Sequence, residues 1–177
     1  MGDGETLKAM IDKETAKQLV LNKINDPAFV DVQSEMVVID DHTIEKDFGW
    51  VFFWDSKIHQ QTGDFLDALA GNAPIIVNRY DGSLHLTGTA YPIEHFIRVY
   101  EDNLERAQQK WVLVIKDNPT LVILKKLKKV LGLSLKEVAI IKDKLPGMID
   151  KGAKRDLLPR CEALIGSGIE AEIRESS

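Results

Sequence analysis

The chain has 177 residues with 23 Lys/Arg against 28 Asp/Glu, a formal net charge of −5, and is long enough for one large domain or two small ones. The charge is unevenly spread, 9 Lys/Arg against 19 Asp/Glu in residues 1–106 and 14 against 9 in residues 107–177, so the first half is unsuited to nucleic acid and suits a basic protein partner. One cysteine, Cys161, excludes an internal disulfide, and the lack of an apolar leader or of a run near the roughly 20 residues that span a bilayer predicts a cytoplasmic protein without a membrane partner.

In chain order, Asp12 reads as the N-cap of an amphipathic helix bearing Ala16, Leu19, Val20, Lys23 and Ile24 on one face, with Asp26-Pro27 as its stop. Two strands follow at 36–39 and 50–54, expected to pair antiparallel across an acidic connection through Asp40, Asp41 and His42. A helical turn is expected at 65–70, then strands at 74–78 and 84–87 joined by an Asp81-Gly82 hairpin turn. Pro92 opens a helix with Ile93, Phe96, Ile97 and Tyr100 at helical spacing, expected to run out into a polar linker at 105–110.

The second half begins with a strand, WVLVIK. Two helices follow, 120–131 stopped by Gly132 and a second one capped by the Ser134-x-x-Glu137 box and ended by Pro146. A short strand at Met148 and Ile149, a third helix in AKRDLLPRCEALIGSG and a final strand in IEAEI complete a β-α-α-β-α-β order. Its lysines are spaced among apolar residues, the pattern of solvated helix faces. The expected fold class is α+β, in two small domains at 1–106 and 107–177.

Residue patterns for chemistry are sparse. His42, His59, His85 and His95 do not fall at metal-ligand spacings, and no GxSxG, GxxxxGK[ST] or GxGxxG occurs; no catalytic residue, metal or cofactor is expected. The cluster Asp40, Asp41, Glu45 and Asp47 admits three readings: a solvated turn, a protein-binding acidic surface, or carboxylates for acid–base work or a divalent cation. Alternation in the adjoining run GWVFFWDS places Trp50, Phe52 and Trp54 on one strand face and Val51, Phe53 and Asp55 on the other. Apolar residues on both faces predict a core strand, while aromatics beside an acidic turn also match the composition of interface hot spots.

The stretches MVVIDD, TIEKDFGWVFFWDS and LAGNAPIIVNRYDGSLHLTGTAYPIEHFIRVYE resemble the YrhB-type immunity domain, immunity protein family 35, of bacterial polymorphic-toxin systems, over about residues 10–102. The resemblance implies a small α+β protein that binds and neutralises a cognate toxin; a chaperone-like role is also attached to the family. The acidic turn and the aromatics beside it make Glu45, Asp47 and Trp50 the candidate contacts, with Asp40 and Asp41 as outer steering charges. The stretch VILKKLKKVLGLSLKEVAIIKDKLPGMIDKG with IGSGIEAEI resembles the C-terminal domain of the bacterial ribosomal stalk protein, over about residues 111–174. That resemblance implies a factor-facing surface at Lys125, Leu133 and Lys136, although bulky Leu121, Ile123 and Leu124 stand where that family favours smaller residues. The expectation is a non-enzymatic binding protein that occludes a basic toxin. The alternative is an adaptor that binds a translation factor or client through the basic half.

Overall fold

The computed structural model describes residues 10–30 and 34–176, in two compact units, Met1–Ile97 and Arg98–Ser177. Residues 1–9 and 31–33 of the first expected domain, and Ser177 of the second, lie outside the described residues.

Helix α1, Lys13–Ile24, starts where Asp12 Oδ1 accepts the Thr15 N–H and buries Ala16, Val20 and Ile24. Its end is fixed by Asn25, whose side chain mimics a strand partner: Oδ1 accepts the Met36 N–H at 2.9 Å and Nδ2 donates to Met36 O at 3.0 Å. Strand β1 (Met36–Val38) then begins. The connection after it is a 3₁₀ turn, Asp40–His42, followed by a strand the sequence did not reveal, β2 (Ile44–Lys46).

The expected strand 50–54 is two strands. Gly49–Phe52 (β3) pairs with β2, and Trp54–Ser56 (β4) pairs with β1 in a separate two-stranded ribbon. The tight turn at Asp47 and Phe48 folds β2 back along β3 and takes the edge on which β1 was expected. Only the stretch beyond Phe53 is left for β1, in the register Val38↔Trp54. The alternation survives the break, since Trp50, Phe52 and Trp54 all enter one core with Val20, Ile24 and Val77.

Gly49 makes the turn possible. Its φ is +146°, and a Cβ there would lie 2.0 Å from Val77 O. Beyond β3 the sheet continues through β5 (Ile75–Asn78) and β6 (Leu84–Leu86), all antiparallel in the order β2-β3-β5-β6. The β5–β6 hairpin turns where expected: Asp81 Oδ1 accepts the Ser83 N–H, and Gly82 has φ +71°. Between β4 and β5 lie a short helix, α2 (Lys57–Thr62), capped by Ser56, and a 3₁₀ turn at Phe65–Asp67 that is shorter than the expected 65–70.

Helix α3, Ile93–Gln108, remains helical where a linker was expected from 105. Its residues from Arg98 onward belong to the second unit, where Arg106 binds Asp156 through Nε at 2.5 Å and Asp102 accepts from Arg155 at 3.0 Å. Glu105 accepts the Lys154 N–H, so the supposed linker holds the start of the last helix.

The rest of the second unit follows the expected β-α-α-β-α-β order: β7 (Trp111–Ile115), α4 (Leu121–Leu131), α5 (Leu135–Lys142), β8 (Gly147–Gly152), α6 (Lys154–Gly166) and β9 (Ala171–Glu175). Central β7 is antiparallel to β8 and β9. Gly132 ends α4 in the left-handed region, and the Ser134–Glu137 capping box is formed at both its bonds. Leu113, Ile115, Leu127, Leu157 and Leu164 fill the core. Among the described residues no helix is long and apolar enough to cross a membrane.

Candidate functional site

The acidic segment is built on the 3₁₀ turn and the β2–β3 hairpin, and its carboxylates fall into two kinds. Asp40 is engaged by Lys17 of α1 at 2.7 Å, and Glu45 by Arg79 Nη2 at 3.0 Å. Asp41 and Asp47 are exposed and have no side-chain partner among the described residues. Arg79, absent from the sequence-based site, organises the hairpin. Its guanidinium lies 4.8 Å from the Trp50 ring, donates to Lys46 O at 2.8 Å and reaches Glu45, which sits directly across from Trp50 in the sheet.

Trp50 itself is 4% exposed. Its role in this structure is as the floor on which Arg79 stacks, with its body in the core. Three buried polar atoms around the hairpin, Thr43 Oγ1, Trp50 Nε1 and Arg79 Nε, lack a partner among the described residues, a departure from full satisfaction that is costly for folding and characteristic of functional regions.

Beyond β4 a second constellation appears that the sequence reading did not foresee. Asp55 is buried; its Oδ1 accepts the Ser56 and Leu69 N–H groups at 2.7 and 3.1 Å, and its Oδ2 lies 2.6 Å from His59 Nδ1. Burial pushes the Asp55 carboxyl up, but the bonds from His59, Leu69 and Ser56 outweigh it and hold it below the ordinary value of 3.8. A depressed carboxyl stabilises the fold above its ordinary value and loses that contribution as pH falls through the lowered one.

The first unit should therefore lose stability as pH drops below 3.8, and Asp55→Asn should remove part of that acid dependence while costing about 1–3 kcal/mol at neutral pH. Urea unfolding of both chains between acid and neutral pH checks this; parallel curves would refute it. The signal for this cluster lay in Asp55-Ser56-x-x-His59, a local spacing that also caps α2 through Ser56 Oγ. It was obscured because Leu69, the partner that makes the clamp, is distant in sequence.

The clamp braces the segment 69–73, which two further bonds latch to β4: Trp54 Nε1 donates to Ala73 O at 2.8 Å, and Asn72 Nδ2 donates to Trp54 O at 2.5 Å. Just before it, Phe65 and Leu66 project into solvent from their 3₁₀ turn. In the second unit Lys125 on α4 and Lys136 on α5 are exposed, and Leu133 is half-buried in the connection, where its N–H closes α4 on Lys128 O. Among the described residues no group of three or more His, Cys, Asp or Glu is placed to hold a metal ion.

Residues 14–99 match the family model described as Immunity protein 35. Over 53 residues the chain is 42% identical to the Escherichia coli (strain K12) protein described as "Uncharacterized protein YrhB", a match covering 30% of this chain and 56% of that protein. The chain thus spans about half the length of the curated relative it matches. No solved structure matches it.

Proposed function

We propose that this chain, whose residues 14–99 carry an immunity-type domain, binds a cognate protein toxin and neutralises it by occlusion, without catalysis and without a cofactor. The observation that carries the reading is the division of the acidic hairpin into pinned and free carboxylates: Lys17 and Arg79 fix Asp40 and Glu45, while Asp41 and Asp47 face solvent unpaired among the described residues. A rigid hairpin of this kind presents negative charge at little entropic cost to a basic surface. Asp41 and Asp47 steer; Glu45 adds to the charged face beside them; Trp50 supports the Arg79 stack from below.

Replacing Glu45 and Asp47 together by lysine should slow association with a cognate toxin domain by about ten-fold or more, as reversal of steering charges does, and should abolish protection in co-expression. Arg79 keeps its stack on Trp50 and its bond to Lys46 O when Glu45 is replaced, so the variant should remain folded, which circular dichroism checks. Unchanged association rates measured by surface plasmon resonance would refute the assignment.

A second reading is favoured by a different observation. Exposed Leu121, Val122, Leu135 and Ile140 accompany Lys125 and Lys136 on α4 and α5, a surface that fits an acidic helix of a translation factor or client. Under that reading Lys125, Leu133 and Lys136, and not the hairpin, dominate binding.

A further inference from the structure

Another margin of the first unit has backbone groups to offer. In the β5–β6 ladder Ile75 faces Leu86, Ile76 faces His85 and Val77 faces Leu84. The flanking pairs are hydrogen-bonded, Asn78 N–H to Ser83 O and Thr87 N–H to Pro74 O. Antiparallel ladders alternate, so His85 bonds inward, and the N–H and C=O groups of Leu84 and Leu86 point away from β5. Neither residue has a backbone partner on that side among the described residues, and Leu86 is 56% exposed.

Beside this edge lies a cleft of about 360 Å³ walled by Phe29, Trp54, Leu69, Ala73 and Leu86. Its wall is already assembled, because the Asp55–Leu69, Trp54–Ala73 and Asn72–Trp54 bonds hold it, and Thr87 Oγ1 ties β6 to Pro74 O at 2.6 Å. Preformed clefts of roughly 300 Å³ and more are the usual size for an inserted group.

We propose that the β6 edge and this cleft together take an extended segment of a protein partner by strand addition. The main chain of that segment pairs with Leu84 and Leu86, and one apolar side chain enters the cleft that Trp54, Phe29 and Leu86 line. The segment carries Lys or Arg beside its apolar anchor, because residues 1–97 hold 7 Lys/Arg against 16 Asp/Glu. The same imbalance disfavours a second copy of this chain, which would bring two acidic units edge to edge. The proposal rests on the protein-binding reading of the first unit but uses a surface distinct from the acidic hairpin.

The test uses the full chain and an eight-residue probe peptide of alternating valines around one phenylalanine, with two lysines at each end. Binding is read by fluorescence polarisation, and a glutamate-ended peptide serves as control. The lysine-ended peptide should bind more tightly. Leu86→Pro, which removes an outward N–H and no internal bond, should weaken binding about ten-fold relative to Leu86→Ala, the loss of one well-made hydrogen bond with its partner left unmet.

Ala70→Trp, which fills the cleft from its exposed rim, should weaken binding to a similar degree without touching the edge. No binding of the lysine-ended peptide, or equal affinities for Leu86→Pro and Leu86→Ala, overturns strand addition. A chain that sediments as a dimer and becomes monomeric on Leu86→Pro overturns the partner in favour of a second copy. Glu45→Lys/Asp47→Lys acts at the far end of the β2-β3-β5-β6 order from this edge and should weaken binding of the lysine-ended peptide less than Leu86→Pro does; its effect on toxin association judges the hairpin reading separately.

Discussion

A Gly49→Ala chain is expected to lose the fold of its first unit. The added Cβ would stand 2.0 Å from Val77 O and 2.9 Å from Arg79 N, both backbone atoms that cannot move without breaking the β3–β5 ladder. At φ +146° the alanine is also strained before any neighbour is considered. Summing strain and overlap places the cost at about 4 kcal/mol or more, the range reached only by a few mechanisms, and comparable with the stability of a small domain. Hydrogen exchange at the amides of β3 and β5 gives the readout: loss of protection there is the expected result, and native protection would mean the turn can relax in a way this geometry does not offer.

Phe52→Ala is expected to cost about 3–5 kcal/mol, the usual range for truncating a buried phenylalanine. Phe52 is fully buried and pairs with Ile75 across β3 and β5. It lies between Trp50 and Trp54 in sequence and shares their core, so the cavity would open where the four-stranded sheet passes into the β1–β4 ribbon. Equilibrium denaturation followed by NMR signals of β3 and β5 measures it. A cost below about 1 kcal/mol would show that neighbouring side chains collapse into the space.

The elements that were legible are those whose determinants are local. The ends of α1 follow from the Asp12 cap and from the Asp26-Pro27 stop. The capping box at Ser134 and Glu137, the left-handed Gly132 and the Asp81-Gly82 turn each sit within four residues of what they determine. The α+β class and the element order of the second unit followed from the same signals.

The places where reading failed depend on partners far along the chain. Nothing within GWVFFWDS says that its two ends join different sheets, because this is decided by competition between β1 and β2 for one edge. The candidate site was legible as charge but not as arrangement. The sequence displays the four carboxylates, yet which are pinned depends on Lys17 and Arg79, 23 and 34 residues away from Asp40 and Glu45. The Gly-Asn-Ala-Pro stretch that carries part of the family resemblance has a physical task that spacing alone did not reveal: Asn72 and Ala73 are the latch on Trp54.

The separation of pinned from free carboxylates bears on how such a protein can change its target. Arg79 stacks on Trp50, donates to Lys46 O and pairs with Glu45 through one guanidinium, so altering it disturbs several contacts at once. Asp41 and Asp47 are bonded to nothing by their side chains among the described residues, and exchanges at such surface positions commonly shift stability by no more than about 0.5 kcal/mol. If the hairpin binds its partner as proposed, exchanges at those two positions alter the charge it displays while the hairpin itself stays unaltered.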